Sequence, residues 1–468
     1  MSNTVSIRSA RQACPSRRSA RRRALRTALI SLTSLVVFAP AVLAQDVDRM
    51  DRVIQASVDD GEFSGSVLVA RDGEILFDRG YASANREWNI ANDGDTVFRL
   101  GSVSKQFTAV AIMLLHERDA VDLDAPIKTY LPDAPAAWDG VTVRRLLTHT
   151  AGIPDFTRLE DYETLKTRPA TLESLIARFR DRPLAFEPGS RFAYSNSGYI
   201  LLTAVVERAG GSAYAEFVRS NLFTPLGMTA SGYDDAAIIL PRRASGYVPA
   251  AEGVANAPFV DMSNPQGAGG LYSTTHDLLK WEQGLFGGRL LRPESLLLLT
   301  TPVRNDYAFG LVSTRDGDHR IISHSGAIEG FNTWLARADD GITVVVLGNL
   351  NGPGPDKLGP ALMTLAHGGE VTLQNERQAI PLAPDALQAY VGVYEAAPTF
   401  SFTISVTDGH LMAQATGQPA FELFAEKEDG FFLKVVDAQM TFVRDASGAV
   451  TSLILHQGGR DLPARKVG

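Results

Sequence analysis

The chain has 468 residues, 45% of them hydrophobic and 21% charged, with a mean hydropathy of -0.03, a balance that excludes a disordered or fibrous protein and leaves room for two or three domains. Its formal charge of -8 falls to -16 once the eight arginines of the first 44 residues are set aside, and an acidic surface of that size argues against nucleic acid as a partner. The single cysteine, Cys14, lies in the same stretch, so the remainder of the chain has no thiol nucleophile, no disulfide and no cysteine metal site.

In chain order, residues 1–44 come first. They carry Arg8, Arg11, Arg17, Arg18, Arg21, Arg22, Arg23 and Arg26 without an acid, then an apolar run from Ala28 to Ala44. Val42-Leu43-Ala44 ends the run with residues that a signal peptidase accepts, which predicts a bacterial-type secretory leader cleaved after Ala44. Thr33, Ser34 and Pro40 interrupt the run, so a retained membrane anchor is not expected. Ser16-Arg17-Arg18 hints weakly at twin-arginine export; ordinary Sec export fits better. The expected location is periplasmic or secreted.

Gly65 to Ala70 and Ile75 to Tyr81 flank Asp72-Gly73 and predict a hairpin. From Gly101 the chain enters an apolar segment, Phe107 to Leu115, whose length suits a buried helix. Leu172 to Phe179 and Tyr199 to Ala209 predict further helices. Thr274 and Asp277, three apart before Leu278, Leu279 and Trp281, resemble a capping box. Thr343-Val344-Val345-Val346 marks a central strand. Helices mixed with hairpins predict an α/β (α+β) domain around a largely antiparallel sheet, spanning 45–370. Near residue 370 the composition shifts: Gly368-Gly369, Gln374-Asn375, Pro381 and Pro384 suggest a linker over 371–384. Over 385–468, short alternating runs are punctuated by Asp408-Gly409, Asp429-Gly430 and Ser447-Gly448, which predicts a small β-barrel or sandwich.

Three short motifs carry chemistry. Ser102-Val103-Ser104-Lys105 sets a hydroxyl and an amine three residues apart on one helical face, and a lysine whose pKa burial has lowered can take a serine's proton. Tyr194-Ser195-Asn196 offers a phenol for proton relay and an amide to hold a substrate peptide group. His324-Ser325-Gly326 follows a β-branched run; the glycine would let an extended substrate approach the strand, and His324 would hydrogen-bond the tyrosine or bind a substrate carboxylate. Each motif by itself fits an ordinary helix turn, loop or buried histidine as well. Together, in this order and at these wide separations, they resemble the serine β-lactamase and penicillin-binding protein superfamily, whose motif set is Ser-x-x-Lys, Tyr-x-Asn and Lys-Thr-Gly or His-x-Gly. Leu146 to Ile153, Pro225-Leu226-Gly227-Met228 and Gly267 to Thr274 resemble further family segments, so the resemblance covers about residues 47 to 365. It looks closest to the class C-like branch, with its D-aminopeptidases, DD-peptidases and family VIII esterases. The last part of the chain resembles the lipocalin-like barrel appended to some of these peptidases.

The resemblance implies a β-lactamase-like domain with a central antiparallel sheet flanked by helices and an all-helical lobe. It also implies roles: Ser102 is acylated, Lys105 and Tyr194 move the proton, and Asn196, His324, Ser325 and Gly326 bind substrate. The backbone N–H groups of Ser102 and Ala327 would form the oxyanion hole. His324 stands where many members have lysine, which lowers the expectation of β-lactam hydrolysis. The implied activity is that of a peptidase or amidase on small or D-residue-containing peptides, or of a carboxylesterase. β-Lactamase activity and a non-catalytic penicillin- or peptidoglycan-binding sensor are the alternatives. For the barrel, a structural or active-site-capping role is expected, with a ligand-binding barrel as the alternative. No dinucleotide or P-loop fingerprint and no Gly-x-Ser-x-Gly elbow occurs, so no cofactor is implied. His149 is expected to cap or pack and His276 to be solvated. No histidine pair has ligand spacing, so no metal is implied.

Overall fold

A computed structural model of the protein describes residues 39–457 and 460–467; most of the predicted leader, with its arginines and Cys14, lies outside the described residues. Helix α1 (Ala39–Asp59) leads into the predicted hairpin, β1 (Gly65–Arg71) and β2 (Glu74–Tyr81). Asp72 and Gly73 both take positive φ, 51° and 85°, as a two-residue type I′ turn requires. Helix α2 (Ser104–Glu117) follows, then a helical lobe that includes α3 (Leu172–Arg180) and α4 (Asn196–Gly210). Helix α5 (Thr275–Phe286) returns the chain to the sheet. The sheet is completed by β3 (Val312–Asp316), β4 (His319–Ile328), β5 (Phe331–Ala338) and β6 (Ile342–Gly348), and α6 (Gly354–Ala366) closes this part of the fold.

The six strands lie in the order β3-β4-β5-β6-β1-β2, every neighbouring pair antiparallel. Both faces of the middle strands are buried, which explains why β6 is buried at every position and reads as a β-branched, mostly apolar run rather than an alternating one. Val67, Val69, Val344 and Val346 pack toward Met50, Ile54, Leu358 and Leu362 of α1 and α6. Leu68, Val345 and Leu347 pack in the opposite core with α2, α4 and α5. Each such side chain contributes on the order of 1.5–3 kcal/mol by leaving water. Helix α2 is buried at every position from Ser104 to Leu115, so it runs through the core rather than along the surface.

Thr274 caps α5 as expected, its hydroxyl accepting the Asp277 N–H at 3.1 Å. The reciprocal half of the capping box is not made. The Asp277 carboxylate instead accepts from the Ala230 N–H and the Ser231 hydroxyl, tying α5 to a neighbouring loop.

The C-terminal strands Gly392–Ala397, Phe400–Thr407, His410–Ala415, Ala420–Lys427, Gly430–Phe432, Ala438–Arg444, Val450–Gln457 and Arg460–Val467 form a closed eight-stranded barrel. The three expected hairpin dipeptides all sit at strand connections. The interior is filled by Tyr390, Tyr394, Phe402, Phe431 and Phe442, with the Tyr390 ring 4.8 Å from Phe442 and 4.9 Å from Phe431. A barrel of this strand number has little room beyond such side chains. The barrel meets α6 where Lys357 pairs with Asp437, and the linker binds both sides: Arg49 of α1 pairs with Glu376, and Ile380 donates its N–H to the Ala425 carbonyl of the barrel.

Candidate active site

The turn that carries Ser102, the candidate nucleophile, is shaped by two glycines. Ser102 lies in a 3-10 turn (Gly101–Val103) that runs directly into α2, and in such a turn residues i and i+3 eclipse. Gly101 has φ +53°, and a Cβ there would lie 2.8 Å from the Ala327 nitrogen, so the turn needs glycine for both conformation and space. Gly326 of β4 faces the same turn: a Cβ would sit 2.1 Å from the Leu100 carbonyl oxygen and 2.3 Å from the Thr333 hydroxyl. Gly326 therefore admits the nucleophile turn against the sheet, and this close approach, rather than contact with a substrate backbone, is what the structure shows for it.

Lys105 is fully buried, and its Nζ lies 3.0 Å from Ser102 Oγ, 2.9 Å from Asn196 Oδ1 and 2.7 Å from the Ala268 carbonyl. Burial lowers its pKa to about 7, against a smaller opposing pull from Asp155. A neutral amine has two N–H groups and one lone pair. Donating to Asn196 and Ala268 leaves the lone pair toward the serine hydroxyl, the arrangement a proton acceptor needs. The ammonium position also lies 4.8 Å from the Tyr194 ring centroid and 5.4 Å from that of Tyr199. Burial holds the pKa of the Tyr194 phenol well above its ordinary value, against a smaller opposing pull from Ser102. Asn196 is the first residue of α4, and its amide Nδ2 reaches both oxygens of Asp155, at 3.4 and 3.3 Å.

His324 is 5% exposed on β4. Its Nδ1 faces the Ser325 carbonyl at 2.5 Å and so carries the proton; Nε2 then accepts from the Tyr307 hydroxyl at 3.0 Å. Burial and, secondarily, Lys105 push its pKa down to about 4. Two expectations for His324 change accordingly. Its tyrosine partner is Tyr307, its ring standing 6.4 Å from that of Tyr194, and with both nitrogens engaged and no charge it presents nothing to a carboxylate. Ser325 is exposed, and its carbonyl serves His324.

Ser102, Asn196 and Ala327 line a cavity of about 400 Å³ with Phe156, Tyr162 and Glu329 among its other walls. Ala327 is exposed at its edge, so its backbone and that of Ser102 adjoin the same space. No lysine, arginine or histidine is found among its lining residues, and Glu329 is the one charged side chain there, bridged to Lys166 at 2.8 Å.

Several contributors had no signal in the sequence. The Ala268 carbonyl is a backbone atom, and Tyr307 belongs to no motif. Asp155 is one acid among 53. His149, read as a cap or packing group, packs its ring 4.2 Å from that of Tyr194 and accepts the Ser195 N–H at 3.1 Å. His276 is not simply solvated: it bridges Asp78 at 2.7 Å and Asp95 at 3.0 Å. None of the residues lining the cavity comes from the barrel, so the capping expectation finds no support in the fold.

Comparison with known proteins shows the family and the fold. The Beta-lactamase family model matches residues 50–367, and the domain of unknown function DUF3471 matches residues 376–465. A penicillin-binding protein of Bacillus subtilis (strain 168) is 28% identical over 431 residues, covering 86% of this chain and 94% of its own. The esterase EstB of Burkholderia gladioli is 33% identical over 283 residues, covering 53% of this chain and 72% of its own. The crystal structure of a D-amino acid amidase from Ochrobactrum anthropi SV3, complexed with L-phenylalanine amide, superposes with a TM-score of 0.62 at 25% identity, covering 70% of this chain and 99% of that one. With two thirds of its length matched by the family model, and a buried lysine against a serine at the head of its central helix, the chain belongs to the β-lactamase family of serine hydrolase folds, alongside penicillin-binding, esterase and amidase relatives.

Proposed function

We propose that the protein is an exported serine hydrolase that forms an acyl-enzyme on Ser102 and acts on small amides, D-residue-containing peptides or carboxylic esters. The observation that carries this reading is the 3.0 Å contact between Ser102 Oγ and a lysine whose pKa burial has brought to about 7. Ser102 Oγ attacks the substrate carbonyl carbon while its proton passes to Lys105 Nζ. The carbonyl oxygen becomes an oxyanion held by the N–H groups of Ser102 and Ala327. Collapse breaks the bond to the leaving amine or alkoxide, which takes a proton through Tyr194 and Lys105. Water then attacks the acyl ester by the same relay, releasing the acid and restoring the serine.

The cavity favours the amidase or esterase reading over β-lactam hydrolysis. β-Lactams carry a carboxylate, and the lining offers no cation to receive one, while His324 is neutral. Glu329 is already paired with Lys166, so the cavity suits an uncharged substrate. The arginine-rich leader of the sequence supports a periplasmic or secreted location.

The test joins a fluorophosphonate label to a substrate panel of D- and L-aminoacyl p-nitroanilides, a p-nitrophenyl ester and a chromogenic cephalosporin. Labelling of the wild type, loss of label in Ser102→Ala, and turnover of the amides or ester are expected. A label that persists in Ser102→Ala would refute the nucleophile. Labelling without turnover of any substrate would favour the sensor alternative.

A further inference from the structure

We infer that His319, Asp340 and His367 form a divalent transition-metal site, separate from the Ser102–Lys105 pair although His319 shares β4 with His324. One ligand atom from each of the three lies within 4.8 Å of the others. Asp340 Oδ1 and His367 Nε2 are 3.4 Å apart, the separation that two ligands of a tetrahedral ion at about 2.0–2.1 Å impose on each other. The two imidazoles stack at 4.1 Å between centroids and 9° between planes, so both rings stand beside the same carboxylate, and joint ligation requires the His319 ring to turn out of the stack. His319 keeps 38% of its side chain exposed and has the freedom to close the remaining gap.

The surroundings of the cluster are those of a metal ligand set. Nδ1 of His319 faces Asp339 Oδ1 at 3.4 Å, which leaves Nε2 for an ion and supplies the carboxylate that orients a ligating imidazole. Asp339 is itself held by the Arg320 N–H at 3.1 Å. His367 is the C-cap residue of α6, where a dication would also meet the negative end of the helix. Two imidazoles and a carboxylate with a fourth position open to water suit Zn²⁺, Ni²⁺ or Cu²⁺ and do not suit Mg²⁺, which prefers an octahedron of oxygens.

The three ligands come from the start of β4, the β5–β6 turn and the end of α6, 21 and 27 residues apart, which is why no spacing rule detects them. An ion there would pin the helix that covers one sheet face, at the point where the chain departs toward the barrel.

The experiment uses tag-free, chelator-stripped full chain, with calorimetric titration of Zn²⁺ and Mg²⁺ and thermal midpoints measured with each. Saturable binding of one Zn²⁺, a raised midpoint with Zn²⁺ but not Mg²⁺, and a loss of affinity of about tenfold or more in each of His319→Ala and His367→Ala are expected. His410→Ala, on the barrel surface, should bind as the wild type does. Co²⁺ substitution should give the intense visible bands of a tetrahedral site. Absence of Zn²⁺ binding, or binding by the folded double variant His319→Ala/His367→Ala equal to that of the wild type, overturns the site.

Discussion

Lys105 sets the behaviour of the catalytic centre at the scale of single residues. In the proposed mechanism its neutral form is the proton acceptor, and that form becomes dominant as pH rises through about 7. The rate of acylation should therefore climb along an acid limb with a midpoint near that value, measured as kcat/KM against pH with a neutral ester. Ser102→Ala should lose about a thousandfold or more in turnover, the effect of removing a nucleophile whose partners act as a unit. The same lysine costs stability. Its folded pKa lies below its unfolded value of 10.5, so the unfolded chain binds the extra proton between about pH 7 and 10.5, and folding is penalised most at and below neutral pH. Lys105→Met should abolish turnover while raising the thermal midpoint at pH 7, with the gain shrinking toward pH 10.5. An unchanged or lower midpoint would contradict this.

Elements impose their own constraints. Gly326 lets β4 approach the nucleophile turn, and Gly326→Ala would drive a methyl into the Leu100 carbonyl. The expected cost is about 1–3 kcal/mol of stability, read by denaturant unfolding, together with a fall in kcat because Ser102 and Ala327 move relative to each other. Helix α5 carries Glu282, 3% exposed, with Oε2 lacking a hydrogen-bond partner and a pKa pushed up by burial to about 8. A carboxyl raised on folding favours the folded state while protonated, and that advantage is lost as pH rises from about 4.5 through 8. Glu282→Gln should flatten the decline in stability across this window; an identical pH–stability curve in the variant would show that Glu282 is ionised in the folded protein.

Across the whole molecule, the barrel and the active site occupy separate territories. The contacts of the barrel and its linker fall on α6 and α1, beneath one face of the sheet, whereas Ser102 heads the helix buried against the other. Deleting the chain after Leu382 should leave kcat/KM for small esters within about twofold, as expected for regions without shared partners. Its thermal midpoint should fall, because Arg377 loses Glu426, the Ile380 N–H loses the Ala425 carbonyl, and Lys357 loses Asp437 while keeping Glu62. A loss of turnover on every substrate would restore a capping role.

Much of this protein is determined locally. Apolar runs long enough for a buried helix, β-branched stretches, Asp-Gly turns and the three motifs are each properties of a few adjacent residues, and they specified the helices, the hairpins and the nucleophile–lysine pair. What the chain order could not contain is which distant groups meet. The lone pair of Lys105 is aimed by a carbonyl 163 residues away, His324 is kept neutral by burial and bonded to Tyr307, and His319, Asp340 and His367 meet at the end of α6. Charge state and hydrogen-bond partnership depend on desolvation and on contacts made only when sheet, lobe and linker close together, and so they belong to the tertiary structure alone.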